Sequence, residues 1–124
     1  MPQVIQERAF EFACTIVTLH TDLVKRGGVG RSLSRQLLRS GTSIGANLVE
    51  ASAGQSKADF ISKCSIASKE AREAHYWLRL IHAANVLPPA RLEALIDEAN
   101  QIASILTTIV RNAQMSSMRG DLEP

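Results

Sequence analysis

Glutamate and histidine are the residue types in this chain that could hold a metal ion for catalysis. A four-helix bundle that binds two iron ions places a Glu-x-x-His pair on each of two helices and a glutamate on each of the other two. The histidines are His20, His75 and His82, and none of them has a glutamate three residues before it. The spacing argues against a di-iron site, and we expect neither a metal nor another cofactor.

Three glutamates nevertheless fall beside the apolar stripes of predicted helices: Glu50, Glu70 and Glu73. A carboxylate at such a position needs a partner, because an isolated buried charge is strongly unfavourable. We expect these glutamates to pair with arginines, of which Arg39 is the nearest by sequence, or to cap polar side chains of the second helix. The predicted structural network consists of Arg39, Ser43, Asn47, Glu50, Glu70 and Glu73.

Covalent catalysis finds no support in the sequence. The serines do not occupy a strand–turn–helix elbow, and His75 and His82 have no evident carboxylate to orient them. The run Gly27-Gly28-Val29-Gly30 lacks the lysine and serine of a phosphate-binding loop. We therefore expect a protein that is not an enzyme.

Basic residues are concentrated in one part of the chain. No acidic residue occurs from Leu23 to Val49, a segment that contains Lys25, Arg26, Arg31, Arg35 and Arg39. The three arginines are spaced four residues apart and form a ridge along one helix, which suits a nucleic-acid phosphate backbone. The alternative is a solvated face whose arginines pair with acids of a neighbouring helix or subunit. A second basic strip, beside Tyr76, is formed by Arg72, His75, Arg79 and His82.

Helices must position these residues. The composition is 45% hydrophobic but only 4% aromatic, which favours an all-α domain whose core is made of aliphatic residues and alanine. Apolar residues recur at alternating spacings of three and four, the period of a buried helix face. The pattern predicts an up-down-up-down four-helix bundle over residues 1–115, with helices at about 4–26, 32–53, 57–84 and 89–114 and a flexible tail at 116–124.

The second predicted helix contains Gly41 and Gly45. Each glycine costs about 1 kcal/mol in a helix relative to alanine, so we expect close packing against another helix in return. The third helix has a seam of alanines that would face these glycines if the two helices are antiparallel. Ser32 is predicted to cap helix two, and Ser56 with Asp59 is predicted to form a capping box for helix three.

Several apolar residues fall outside the predicted seams and favour a homo-oligomer. The expected interface residues are Phe10, Val17, Trp77, Leu80 and Ala84. No apolar run approaches the roughly 18 residues of a membrane span, so no membrane partner is expected. Cys14 and Cys64 lack metal-ligand spacing and are predicted to be free thiols in the cytoplasm.

Two motifs carry a resemblance to a known family. The first consists of Leu33, Gln36, Arg39, Ser43-Ile44, Ala46-Asn47 and Glu50, and the second is Lys69-Glu-Ala-Arg-Glu-Ala-His-Tyr-Trp-Leu78. Both resemble motifs of the bacterial four-helix bundle proteins encoded in intervening sequences of large-subunit ribosomal RNA genes. The resemblance spans residues 5–113.

The resemblance implies a four-helix protomer that assembles as a ring-shaped homopentamer. Related proteins include the accessory protein of diversity-generating retroelements, a basic homopentamer that binds reverse transcriptase and nucleic acid. The chain departs from the family pattern at Ala51, where a glycine commonly follows the signature glutamate. Its net charge of +2 is also milder than that of the retroelement accessory proteins.

The sequence therefore supports two functional hypotheses. The first is a non-enzymatic oligomeric binding or scaffold module that associates with RNA or DNA, or with an RNA-handling protein such as a reverse transcriptase. The second is a purely structural protein–protein interaction oligomer with no nucleic-acid binding. Salt-dependent binding to nucleic acid separates the two.

Overall fold

The computed structural model describes residues 3–54 and 56–122, which form four α-helices. The helices are α1 (Gln3–Arg26), α2 (Gly28–Ser52), α3 (Lys57–Ala83) and α4 (Pro89–Leu122). Each helix packs against the next one in the chain, and α4 returns to α1. No strand occurs in these residues, and the predicted all-α four-helix bundle is confirmed.

The predicted apolar stripes form the core. The stripe of α1 is completely buried, and its members are Ile5, Ala9, Phe12, Ile16, Leu19 and Leu23. The stripe of α2 is also buried and consists of Leu37, Gly41, Ile44, Leu48 and Ala51. Burying one large aliphatic side chain contributes about 1.5–3 kcal/mol, so the core that these stripes share with α3 and α4 is the main source of stability.

The glycines of α2 face α1. A Cβ atom added to Gly41 would lie 3.1 Å from Cγ1 of Ile16, and one added to Gly45 would lie 3.7 Å from Cβ of Ala9. The prediction that these glycines face the alanine seam of α3 is therefore wrong. Both glycines lie at the edge of the buried stripe that is turned towards α1. Arg39 lies beyond the other edge, on the side of α2 turned towards α3.

The turn between α1 and α2 consists of one residue, Gly27. Gly27 and Gly28 have φ angles of 71° and 60°, values in the left-handed region that glycine adopts at little cost. The carbonyl oxygen of Gly27 accepts a hydrogen bond from the amide of Arg31 at 3.4 Å. Helix α2 thus begins four residues before the predicted start, and Ser32 is an exposed residue inside the helix instead of its cap.

The start of α3 was predicted correctly, because the amide of Asp59 donates a hydrogen bond to Oγ of Ser56 at 3.0 Å. The predicted end of α4 at residue 114 is wrong, since the helix continues to Leu122. The apolar periodicity of the sequence shows only where the buried part of the helix ends. The helical hydrogen bonds continue beyond that point alongside α3, where Nζ of Lys57 donates to Oγ of Ser116 at 2.9 Å. Residues 123–124 of the predicted tail lie outside the described residues.

Ion pairs border the contact between α1 and α4. Arg8 contacts Glu98 through two hydrogen bonds, 2.5 Å from Nη2 to Oε1 and 3.1 Å from Nε to Oε2. The hydrogen bond to Glu98 is the main reason why the pKa of Arg8 is raised. Near the other end of α1, Nη2 of Arg91 lies 2.8 Å from Oδ2 of Asp22. These pairs fix the orientation of α4, although half-exposed ion pairs add little stability.

The described helices include none that is long and apolar enough to cross a membrane.

The contacts of the two glycines predict opposite effects of substitution. Gly45→Ala places its Cβ at an ordinary van der Waals distance from Ala9, so the gain in helix propensity should stabilise the fold by about 0.5–1 kcal/mol. Gly41→Ala must displace Ile16 and should gain less, while Gly41→Leu overpacks the contact and should cost about 1–3 kcal/mol. Denaturant unfolding of the three variants measures these differences. Equal stability of Gly41→Leu and the parent would show that α1 and α2 are not in close contact.

The two cysteines should differ in reactivity. Cys14 is exposed and Cys64 is buried, and burial raises the pKa of the Cys64 thiol. Because the thiolate is the reactive form, iodoacetamide at pH 8 should alkylate Cys14 in the native protein and leave Cys64 unmodified. Mass spectrometry should find one adduct on the native protein and two after unfolding in guanidinium. Modification of native Cys64 at the rate of Cys14 would contradict the packing of α3.

Candidate nucleic-acid interface

Four predicted nucleic-acid contacts lie close together at the junction of α1 and α2. Lys25 and Arg26 form the last turn of α1, and Arg31 and Arg35 lie in the first turns of α2. The single-residue turn at Gly27 brings both pairs to the same end of the bundle. All four side chains are exposed, and among residues 4–54 and 56–118 no acidic side chain lies within ion-pair distance of them.

Arg39 differs from the other members of the ridge because acids of α3 hold it. Its Nη1 lies 3.1 Å from Oε2 of Glu70, and its Nη2 contacts Oε2 of Glu73. The hydrogen bond to Glu73, with the negative charges of both glutamates, raises the pKa of Arg39. Arg39 therefore follows the alternative hypothesis, in which an arginine of the ridge pairs with acids of a neighbouring helix. The part of the ridge that has no paired acid ends at Arg35.

The remaining members of the predicted structural network make local contacts. Oγ of Ser43 donates to the carbonyl oxygen of Arg39 at 2.6 Å, and Nδ2 of Asn47 donates to the carbonyl oxygen of Ser43 at 2.8 Å. Oε2 of Glu50 lies 3.1 Å from Nζ of Lys63 instead of reaching Arg39. Two sets of ion pairs, one at Arg39 and one at Glu50, thus tie α2 to α3.

The second basic strip lies on α3, and its members differ in exposure. Nε2 of His82 is 3.8 Å from Oε1 of Glu93 on α4, and His75 is half-buried. Arg72 and Arg79 are exposed. Tyr76 is exposed between them and meets Trp77 edge to face, with ring centroids 5.1 Å apart.

The turn between α3 and α4 lies at the same end of the bundle as the junction of α1 and α2. A Cβ added to Gly30 would lie 2.9 Å from Cγ1 of Val86, so this turn contacts the start of α2. Arg79 is seven residues beyond Arg72 and lies on the flank of α3 turned away from α2, so it is not grouped with the cations of the junction. We define the basic end as Lys25, Arg26, Arg31 and Arg35.

The basic end has the electrostatic character of a polyanion-binding surface. Asp22, the acid of α1 nearest to this end, is paired with Arg91. Among residues 4–54 and 56–118, no acid lies within ion-pair distance of the four side chains of the basic end. Exposed cations grouped in this way raise the local potential and attract a phosphate backbone. Arginine also offers a planar set of donors that matches phosphate oxygens.

The predicted oligomer-interface residues lie on two separate surfaces. Phe10 is 64% exposed and Val17 is 48% exposed, and Val49 of α2, which sequence analysis did not select, is 62% exposed. We define the α1–α2 groove as the depression lined by Glu7, Phe10, Ala13, Thr42, Ala46 and Val49. The helical spacing of apolar residues along α1 identified Phe10 from the sequence. Only the fold shows that α2 supplies the other wall of the α1–α2 groove.

Trp77 and Leu80 lie on the opposite side of α2. Trp77 is one turn beyond Glu73, which pairs with Arg39, so this part of α3 flanks α2 on the side away from α1. Trp77 is half-buried and packs against the core, Leu80 is half-buried, and Ala84 is exposed. Trp77 lies outside the predicted seam of α3, and its side chain nevertheless packs against the core.

The described residues contain no group of three or more histidine, cysteine, aspartate or glutamate side chains that could hold a metal ion.

Comparisons with known proteins identify relatives. The sequence model of the 23S rRNA-intervening sequence protein family matches residues 3–108. No curated protein sequence matches the chain. A crystal structure of a Bacteroides thetaiotaomicron protein with unknown function, from the S23 ribosomal protein family, is similar with 41% sequence identity and a TM-score of 0.79. The alignment covers 86% of this chain and 97% of that one. On the extent of both matches, the chain belongs to the 23S rRNA-intervening sequence protein family.

Proposed function

We propose that the protein is a non-enzymatic, cytoplasmic homo-oligomer that binds RNA through its basic end. The observation that carries this proposal is the set of exposed, unpaired cations at the junction of α1 and α2. A surface of this kind contacts phosphates and positions a nucleic acid without reading its sequence. An RNA-handling protein, such as a reverse transcriptase, could be recruited through the same bound RNA.

The family relationship favours RNA over DNA. The matching family is described by its association with an intervening sequence of 23S rRNA, and the similar crystal structure belongs to a family described as ribosomal. Both descriptions concern other proteins, and they bring RNA to this chain as part of the proposal.

The assembly we propose is a ring-shaped homopentamer. A ring needs a heterologous interface, in which one patch of a subunit contacts a different patch of the next. The chain offers two such patches on opposite sides of α2: the α1–α2 groove and the surface of α3 near Leu80. Repetition of the basic end around a ring would strengthen a weak single-chain contact through effective concentration.

A purely structural protein–protein oligomer is the second candidate function. Three exposed apolar side chains border or lie near the α1–α2 groove, and Arg39, the last member of the predicted basic ridge, is paired with acids of α3. Both observations fit a protein whose main contacts are with other protein surfaces. This candidate predicts assembly without salt-sensitive binding to RNA.

Loss of two open arginines should weaken RNA binding specifically. Arg31→Gln combined with Arg35→Gln removes two phosphate contacts per protomer, and each contact to a single strand contributes about 0.7 to the slope of log affinity against log salt. The double variant should bind a single-stranded RNA more weakly, with a slope shallower by about 1.4 for each bound protomer. Fluorescence anisotropy at several salt concentrations measures both quantities.

The matched control is Lys57→Gln combined with Lys69→Gln, which removes the same charge from exposed positions of α3 that lie outside the basic end. The slope of log affinity against log salt should be closer to the parent's value in this control than in the Arg31→Gln, Arg35→Gln variant. Equal losses of RNA affinity in the two double variants would show that binding depends on the total charge and not on the basic end. If the parent shows no salt-sensitive RNA binding at low ionic strength, the RNA proposal fails and the structural oligomer stands.

Assembly through two different patches predicts that either patch is essential. Val17→Glu on α1 and Leu80→Glu on α3 should each reduce the particle mass, because a buried unpaired carboxylate is strongly unfavourable. Met118→Glu on the exposed part of α4 is the control and should leave the mass unchanged. Sedimentation velocity gives the masses. A reduction caused by Val17→Glu alone would indicate one self-complementary interface and exclude the ring.

A further inference from the structure

A polar pocket lies between α3 and α4, apart from the basic end. Its floor is formed by Ser68, which is 4% exposed, and Thr107, whose Oγ1 lies 3.1 Å from Oγ of Ser68. Oγ1 of Thr107 donates to the carbonyl oxygen of Ala103 at 2.8 Å, so the hydroxyl of Ser68 is the donor between the two. This hydrogen bond joins α3 to α4 and fixes both hydroxyls in a largely apolar seam.

Two arginines line the same pocket. Arg72 is one turn beyond Ser68 on α3, and Arg111 is one turn beyond Thr107 on α4. Because the two helices are antiparallel, these residues occupy the two ends of the pocket, with Ser65 and Gln114 beside Arg111. The pocket therefore presents positive charge from both ends around a polar floor.

No acid compensates these arginines within the residues whose side chains the structure describes. Glu70 and Glu73, the nearest acids along α3, are turned towards α2 and paired with Arg39. Two like charges that share a pocket without a counter-charge favour the binding of an anion. The guanidinium groups, the hydroxyl of Ser65 and the amide of Gln114 are together suited to the several oxygens of a phosphate group.

We propose that this α3–α4 pocket binds a phosphate group through Arg72 and Arg111. The phosphate can belong to a small phosphorylated molecule or to the backbone of an RNA strand, and both have the oxygens that the two guanidinium groups recognise. The α3–α4 pocket shares no residue with the basic end. Its phosphate site therefore stands whether or not the basic end binds RNA.

Calorimetric titration of the full chain at low salt tests the site with two probes, inorganic pyrophosphate and a ten-nucleotide uridine RNA that carries a 5′-hydroxyl group. The variants are Arg72→Gln and Arg111→Gln, both of exposed residues, so the fold should be retained and circular dichroism checks that it is. Each should lower the affinity for the bound probe by about 10- to 100-fold, the effect of removing a hydrogen bond to a charged group. Arg72→Lys should restore part of the affinity, because it keeps the charge but loses the planar pair of donors.

Lys69→Gln is the matched control, since it removes an exposed charge from α3 outside the pocket. Lower affinity for pyrophosphate in the two arginine variants identifies a site for small phosphorylated molecules. Lower affinity for the RNA alone identifies a contact with the RNA backbone. The proposal is overturned if neither probe is affected by either arginine variant, or if Lys69→Gln lowers affinity as much. The Arg31→Gln, Arg35→Gln variant keeps both arginines of the α3–α4 pocket, so it should bind pyrophosphate as the parent does. Failure of the pocket proposal can therefore be distinguished from failure of the RNA proposal.

Discussion

The approach of α1 to α2 at Gly41 is the constraint on which the rest of the structure depends. Ile16 fills the space that a side chain at position 41 would occupy, so the two helix backbones come closer than two leucine-faced helices could. A one-residue turn at Gly27 is compatible with this short separation. The close contact also fixes the register of α2 along the axis of α1. This register places Arg31 and Arg35 beside the C-terminal end of α1.

The opposite flank of α2 is specified by polar contacts. Arg39 reaches Glu70 and Glu73, and Glu50 reaches Lys63. Ion pairs as exposed as these contribute little free energy of folding, but the three pairs lie at two positions along the helices and favour the observed register between α2 and α3. They also hold Glu70 and Glu73 on the flank of α3 turned towards α2, away from Arg72 on the flank that meets α4.

The sequence was a good guide to what each helix buries and a poor guide to which helix faces which flank. A stripe at helical spacing must be buried wherever the helix packs, so the seams of α1 and α2 could be predicted from periodicity alone. Gly41 lies at one edge of the α2 stripe and Arg39 lies beyond the opposite edge, and only the packing decides which edge meets α1. The buried Ser68 and the pocket with Arg72 and Arg111 were not predicted, because they depend on the register of α3 against α4.

The net charge of +2 understates the tendency of the protein to bind a polyanion. Charges on a protein surface influence a ligand over about one Debye length, roughly 8–10 Å at physiological ionic strength. Helix α1 has 24 residues and is therefore about 36 Å long. The exposed acids Glu7 and Glu11 near its start are more than one Debye length from Lys25 and Arg26, so they contribute to the net charge without neutralising the basic end. A ligand at that end meets the local charge, which is set by the helix order and by the pairing of Asp22 with Arg91.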